Sequence, residues 1–592
     1  MPGDADRPRE PEAPSGPRQA AGKRRLPLWL VPVLLLAVPL LVLAGFTLGG
    51  GNDGGQSRLP GFVGAEGREL VLDGAPTRLK AVNFSNFYHR NLKGSGLLNS
   101  PHHSEQDFAR VKELGFNSVR FAFDGDWYVN DPKVFMEWLD RNVAWARQHQ
   151  VKLILDLHTP IGGFWLDPTS DAVSFDLWSQ PRLQDQNADL WRVIAERYKD
   201  EPVIAAYDLL NEPVTTDATG QQWKDLAQKL VAAVRSVDRN HLLVVGGIYG
   251  VNGRYGTAGI DPHFLVDDTN VVYDFHFYEP IKYTHQYASW VEGPIQDGGR
   301  YPDPGVILPT GQRTLLPQST VATPPLDAGS SDWKVYDSGL IPLTDKSAVA
   351  AMPVVTAKGG MRGTAYFDTL VVTEHGPDGK QLREVVRDEL NAETILDWHE
   401  WTSGGDPNQA AGFAREPAGN GDNGSLSISN AAGSQTIAGW SNDEHLFKVE
   451  PGNQYRITGF MRGQDVAPEG AGTNIGFHLD VYAETPGAPG SGFLERGREY
   501  LAHELAKRTK FGADHNVPMS VLEFGLVRQA FEMEGKGGSQ WVADMVGLFE
   551  ANNLSYSYWE YHGAQMGLYL SSSGPPTEPN MALQDVLARE LP

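Results

Sequence analysis

Beyond residue 58 the chain alternates short apolar runs with amphipathic stretches. Eight runs read as strands: Leu79–Phe84, Ser118–Phe121, Val151–His158, Val203–Leu210, His241–Gly246, Val271–Phe277, Met519–Phe524 and Ser555–Trp559. Between them Pro132–Gln148, Leu183–Tyr198, Trp223–Val237, Glu499–Thr509 and Trp541–Ala551 repeat apolar residues at helical spacing. Strands alternating with helices predict a parallel sheet with crossover helices, and eight of them predict a closed (β/α)8 TIM barrel in the α/β class. The alternation stops between Glu292 and Gly497, where Gly and Pro become dense and short strand-like runs appear, such as AVAAMPVVTA, GTAYFDTLVVTE and NQYRITGFMRG. That pattern predicts an inserted all-β sandwich, jelly-roll-like, in the loop after the sixth strand and thus on the catalytic face of the barrel.

The N-terminal pattern is different again. Residues 1–25 are polar and end in Lys23, Arg24 and Arg25, and the 23 residues Leu26–Leu48 carry no charge. A helix of that length crosses a hydrocarbon core of about 30 Å. The preceding basic cluster orients such a span with its N-terminus in the cytoplasm. The expected organisation is therefore a cytoplasmic tail (1–25), a transmembrane anchor (26–48), a linker (49–58), the first part of the barrel (59–291), the sandwich (292–497) and the last part of the barrel (498–592). A secreted protein with a cleaved signal peptide is the alternative.

Composition narrows the partners. The 592 residues hold 74 acidic and 50 basic side chains, a net charge of −24, so a polyanion such as nucleic acid is repelled. There is no Cys, which excludes disulfides, thiolate metal sites and Cys nucleophiles. No phosphate loop or dinucleotide fingerprint is found, and neither cofactor nor metal is expected. Adjacent His102 and His103 lack an evident third ligand and read as surface or loop residues, and the DNG at 422–424 reads as a plain turn.

The strand ends carry the chemistry. Strands of a parallel barrel read Val/Ile/Leu almost throughout. Here Arg120 ends the second, His158 the third, Asn211-Glu212-Pro213 the fourth, His276 and Tyr278 the sixth, Glu523 the seventh and Trp559 the eighth. Six polar ends converging on one rim are hard to explain by structure alone. Two carboxylates facing each other from strands four and seven can cleave a glycosidic bond, one protonating the leaving oxygen and the other attacking the anomeric carbon. Trp127, Tyr128, Phe164, Trp165 and Trp178 lie in loops on the same side; Trp165 and Trp127 are candidate sugar platforms. Asp124, Asp126 and Glu560 are further carboxylates near the rim.

The motifs LLNEP (209–213), DFHFY (274–278), VLEFG (521–525) and YSYW (556–559), with VRF (119–121) and DLH (156–158), together resemble glycoside hydrolase family 5 of clan A, the cellulase-like retaining β-glycosidases. The segment YEPIKYTHQYASW (278–290) is similar to one common in that family. The resemblance implies that Glu212 is the general acid/base and Glu523 the nucleophile. It also implies that Asn211, Arg120, His158, His276, Tyr278 and Trp559 support the −1 subsite. Tyr278 and Glu523 are 245 positions apart, a spacing that departs from the family pattern and marks the insertion. Within it, residues 332–372 and 398–463 resemble the closing and opening sections of jelly-roll carbohydrate-binding modules, in permuted order; a brace that binds nothing is the competing reading. The expected function is a membrane-anchored retaining β-glycosidase, endo-acting on an extracellular or cell-envelope polysaccharide. A transglycosylase on the same scaffold and a non-catalytic carbohydrate-binding protein are the alternatives.

Overall fold

The computed structural model describes residues 59–591 apart from 87–95, 100–101, 164–174, 257, 260–261, 290–297, 311–312, 317–320, 392–397, 404–410, 432–436, 471–472, 485–491 and 572–574. The expected membrane span lies outside the described residues. Among those described, no helix is long and apolar enough to cross a membrane.

Eight parallel strands close into a barrel. They are β1 (Lys80–Phe84), β2 (Ser118–Asp124), β3 (Lys152–Thr159), β4 (Ile204–Asp208), β5 (Leu242–Gly246), β6 (Val271–His276), β7 (Met519–Phe524) and β8 (Ser555–Tyr558). Each pairs with the next in chain order, and β8 returns to β1. Every residue of β2, β4, β5, β6, β7 and β8 is buried, as strands covered on both faces require. Crossover helices cover the outside. Pro132–His149 is representative: Pro132 enters at the first turn, the Asp131 side chain accepts from the Val134 amide at 3.0 Å, and Gln150 ends the helix in the left-handed region. A hairpin of Val63–Glu66 and Glu69–Leu72 closes the bottom. Its Val63 and Leu70 share a buried cluster with Ile154, Ala206, Val244, Val272 and Leu522 from the barrel strands.

The extra β structure lies between β6 and the helix Arg498–His515. It forms two antiparallel sheets, one built around Ala348–Lys358 and Asn474–Glu484, the other around Met361–His375 and Gln454–Pro468. Val355, Phe477 and Leu479 of the first sheet and Phe367, Leu426 and Ile457 of the second belong to one buried cluster, distinct from the barrel core. The base of the insert is narrow. Its first strand, Asp303–Pro309, runs antiparallel to its last, Phe493–Arg496, with Leu308 opposite Leu494 and Pro309 opposite Phe493. Leu308 also belongs to the barrel core, and the Tyr301 hydroxyl donates to Asp544 at 2.6 Å.

Several expectations need correction. The second strand was expected to end at Phe121 and instead runs to Asp124, so Arg120 sits mid-strand with its side chain buried inside the barrel. His102 and His103 are buried, not exposed: His103 stacks on Phe84 at 3.8 Å and contacts His562. The sandwich tryptophans, whose exposure the sequence leaves open, include Trp398 and Trp440, which are buried with their indole N–H groups bonded to Asp388 and to the Ser427 carbonyl.

Candidate active site

Arg120 organises the floor of the site. A guanidinium presents five donors in a fixed fork, and here they are shared among four acceptors. Nε donates to Asp208 at 2.9 Å, Nη1 to Glu523 at 2.8 Å and Asn83 at 3.2 Å, and Nη2 to Asn211 at 2.8 Å. Asp156 lies 3.2 Å from Nη2 and completes the ring of acidic side chains. Acidic side chains from β3, β4 and β7 thus surround a cation that would otherwise be intolerable in a barrel core. They also fix its reach, because the fork spans the barrel from Asn83 on β1 to Asn211 just past β4.

Glu523, the penultimate residue of β7, is 5% exposed. Its Oε1 accepts from Arg120 and its Oε2 from the Tyr278 hydroxyl at 2.9 Å. Burial pushes Glu523 above the ordinary carboxylate range, while His276 and Arg120 pull the other way. Glu212 sits just past β4 with φ +39°, a left-handed conformation uncommon outside glycine and one that costs of order 1–3 kcal/mol. Two donors meet on its Oε1: His276 Nδ1 at 2.5 Å and the Tyr255 hydroxyl at 3.2 Å. Burial alone would raise Glu212, but the charge and hydrogen bond of His276 hold it below the usual range.

His276 stands between the two glutamates. Its Nδ1 is also 3.3 Å from Glu523, and its Nε2 is 3.4 Å from Asp274. Burial would lower its pKa, yet Glu523 and Glu212 outweigh that and hold it well above the ordinary histidine value. An oxygen of Glu212, a ring nitrogen of His276 and an oxygen of Glu523 all lie within 4.8 Å of one another. Retaining glycosidases hold the pair about 5–5.5 Å apart and inverting ones about 6.5–9.5 Å.

The outer parts of the site follow. His158 donates from Nδ1 to Asp156 at 2.8 Å, and Asn211 Nδ2 donates to its Nε2 at 3.4 Å. Trp559, directly after β8, lies parallel to His158 at 5.5 Å and remains partly open. The expected residues Glu212, Glu523, Asn211, Arg120, His158, His276, Tyr278 and Trp559 thus meet around one point. Trp127 does not join them. Asp124 caps the short helix Gly125–Asn130, which turns Trp127 inward, where it is 3% exposed and packs edge to face on Trp138. Trp178 is also buried, its indole donating to the Val214 carbonyl at 2.8 Å, so it braces the segment that follows Glu212. Trp165 lies outside the described residues.

Residues 72–305 match the family described as Cellulase (glycosyl hydrolase family 5). This cellulase match takes in β1 to β6 and with them Arg120, His158, Asn211, Glu212, His276 and Tyr278. Curated relatives agree with it. The chain is 32% identical over 195 residues to Endoglucanase C of Acetivibrio thermocellus, covering 32% of this chain and 54% of the relative. It is 30% identical to Cellodextrinase A of Ruminococcus flavefaciens, over 31% of this chain and 54% of the relative. It is 26% identical to Mannan endo-1,4-beta-mannosidase 5 of Arabidopsis thaliana, over 42% of this chain and 68% of the relative. The chain spans about half the length of the first two.

Four groups escaped the sequence reading: Tyr255 on Glu212, and Asp156, Asp208 and Asp274 beneath it. The three aspartates were signalled, since each interrupts an apolar strand of a parallel barrel. Tyr255 gave no such signal, because its place depends on a hairpin, Gly250–Val251 with Arg254–Tyr255, held by contacts distant in sequence.

Proposed function

We propose that this protein is a retaining endo-β-glycosidase that cleaves a β-linked glucan or mannan-type polysaccharide by double displacement. The observation that carries the reading is the pair Glu212 and Glu523, which face each other from the carboxyl ends of β4 and β7 with an oxygen of each within 4.8 Å. The named activities of the relatives, endoglucanase and endo-mannosidase, support the substrate class.

In the first step a Glu523 oxygen attacks the anomeric carbon. The glycosidic C–O bond breaks, and the Glu212 proton passes to the departing oxygen. In the second, Glu212 takes a proton from water as that water attacks the same carbon and releases Glu523. Arg120 and Tyr278 hold the attacking carboxylate by both oxygens. With no sugar bound, His276, 2.5 Å from Oε1, holds Glu212 in its carboxylate form. A sugar filling the cleft removes water. Desolvation disfavours the carboxylate, which favours protonation of Glu212 on its other oxygen, Oε2. Asn211, anchored to Arg120, is placed to bond a sugar 2-hydroxyl, and Trp559 to lie under the ring.

The uncharged span Leu26–Leu48 after a basic cluster supports placing this activity at the outer face of a membrane. Protease added to intact cells should then digest the barrel; a mature N-terminus near residue 50 would mean secretion instead. Trp333 and Trp401 of the sandwich, both partly exposed, support a second role in holding long chains. The activity itself is tested by following the product anomer on cello- and manno-oligosaccharides. Retained configuration, with Glu523→Gln inactive and Glu212→Gln active only on aryl glycosides with good leaving groups, is the expected result. Inverted product sinks the mechanism.

A further inference from the structure

Tyr255 has an unusual combination of properties. It is 45% exposed, the rest of its hairpin lies at the rim, and its hydroxyl nevertheless reaches Glu212 Oε1 at 3.2 Å. The hairpin that carries it is fastened to the segment directly after Glu212. The Tyr249 amide donates to the Pro213 carbonyl at 3.0 Å, Thr215 to Gly250 at 2.9 Å, Gly253 to Thr215 at 2.8 Å and Asn252 to Asp217 at 3.0 Å. Gly250 makes this possible, because a Cβ there would lie 2.1 Å from the Arg254 carbonyl oxygen. Tyr249 fills the space beneath, packing edge-on against His276 at 5.1 Å. The acid and its phenol donor therefore belong to one local unit with little freedom to separate.

Both donors to Glu212 take the same oxygen. His276 Nδ1 and the Tyr255 hydroxyl meet on Oε1. A carboxylic acid whose Oε1 accepts two hydrogen bonds carries its proton on the other oxygen, and proton transfer requires that oxygen to face the leaving group within about 2.6–3.2 Å. His276 also serves Glu523, approaching from the side of the attacking carboxylate. Tyr255 closes Oε1 from the solvent side, where a departing sugar must leave.

We propose that Tyr255 is a positioning and specificity residue of the leaving-group side: its hydroxyl locks Glu212 so that Oε2 presents the proton, and its exposed ring is the first wall against which the departing sugar packs. This rests on the assignment of Glu212 as the acid. A hydrogen bond to the carboxylate form favours that form, so the contact also holds the acid at a lower pKa than it would otherwise have.

The test compares Tyr255→Phe and Tyr255→Ala with the wild-type protein and with Glu212→Gln, using cello- and manno-oligosaccharides and aryl β-glycosides with good leaving groups. Tyr255→Phe should move the alkaline limb of kcat/KM to higher pH. It should also lower kcat on oligosaccharides on the order of tenfold while leaving aryl glycosides, which need little acid assistance, unchanged. Tyr255→Ala should add a severalfold rise in KM for oligosaccharides that Phe, which keeps the ring, does not show. A merely structural side chain would move neither the pH limb nor the KM-against-kcat split. If Glu212→Gln shows the acid-loss pattern but Tyr255→Phe matches wild type in rate and pH profile, Tyr255 is a bystander and the inference fails alone. If Glu212→Gln hydrolyses oligosaccharides at the wild-type rate, the acid assignment fails and takes this inference with it.

Discussion

His276 Nδ1 lies 2.5 Å from Glu212 Oε1, and the same nitrogen is 3.3 Å from Glu523. One imidazole is thus shared between two carboxylates with opposite tasks. Its second nitrogen faces Asp274 at 3.4 Å, so every polar atom of the ring meets an acid. That arrangement favours the doubly protonated ring and explains why its pKa stands well above the ordinary value despite burial.

His276→Asn should therefore change more than rate. The imidazolium holds Glu212 below the usual carboxylate range, and its removal raises that pKa. Hydrolysis needs Glu212 protonated and fails as pH rises through its pKa, so the alkaline limb of kcat/KM should shift upward. The rate at the optimum should fall on the order of 10²-fold, the low end of what general acid catalysis contributes, because the acid loses the donor that orients it. A pH–rate profile displaced downward in pH would contradict this account.

Arg120→Met should unfold more easily as well as lose activity. The substitution strands Asp156, Asp208 and Glu523 without their shared cation in the barrel core. Removing one member of a buried charge network costs about 3–5 kcal/mol. Urea denaturation followed by tryptophan fluorescence reads that loss. Arg120→Lys should restore part of the stability but not the activity, because an ammonium cannot bridge Asp208, Glu523 and Asn211 at once. A Lys variant of full activity would show that the bidentate geometry is dispensable.

Asp208 gives a stability signature with a defined sign. Burial pushes its pKa up to about 8, helped by Asp156 and Asp274 and opposed by Arg120, against an ordinary value of 3.8. Below about pH 4 folded and unfolded chains both hold the proton, and the contribution is complete. Between pH 4 and 8 the unfolded chain releases it while the folded one keeps it, so this contribution to stability declines as pH rises. Asp208→Asn keeps an oxygen for Arg120 Nε and removes the titration. Its Tm relative to wild type should therefore increase from pH 5 to pH 8. A constant difference would place Asp208 outside the pH response.

The barrel and both glutamates were legible because parallel strands are so uniformly apolar that a polar residue at a strand end stands out. The same contrast was available for Asp156, Asp208 and Asp274, but they read as interruptions until Arg120 was seen to need them. Trp127 and His102-His103 were misplaced for one reason. Spacing says little about which way a short helix or loop faces, and the turn capped by Asp124 and the stack of His103 on Phe84 decide it in three dimensions. Tyr255 was beyond reach, since its hairpin is positioned by hydrogen bonds to residues 213–217.

The insert is joined to the barrel in a way that makes its removal clean. Residues Asp303–Pro309 and Phe493–Arg496 form an antiparallel pair in which Pro309 faces Phe493. An antiparallel pair can be closed by a two-residue turn, so replacing residues 310–492 with Asn-Gly should convert the base of the insert into a plain hairpin. The sandwich core and the barrel core are separate buried clusters, and each loses little apolar contact with the other. What the deletion does expose is a third cluster at the junction, where Ile307 and Phe493 pack on Ala350, Met352, Val354 and Tyr482. Uncovered apolar side chains there would promote aggregation, so the shortened chain should carry Ile307→Thr and Phe493→Thr as well. It should melt cooperatively, show a more helical circular dichroism spectrum and keep its rate on aryl glycosides, because Glu212, Glu523 and Arg120 draw their hydrogen-bond partners from the barrel and its loops. Unchanged turnover of long polysaccharide would assign the sandwich no part in substrate capture, whereas a selective loss on long chains would place its surface beside the cleft. A shortened protein that stays insoluble with both threonines in place would show that the two cores depend on each other after all.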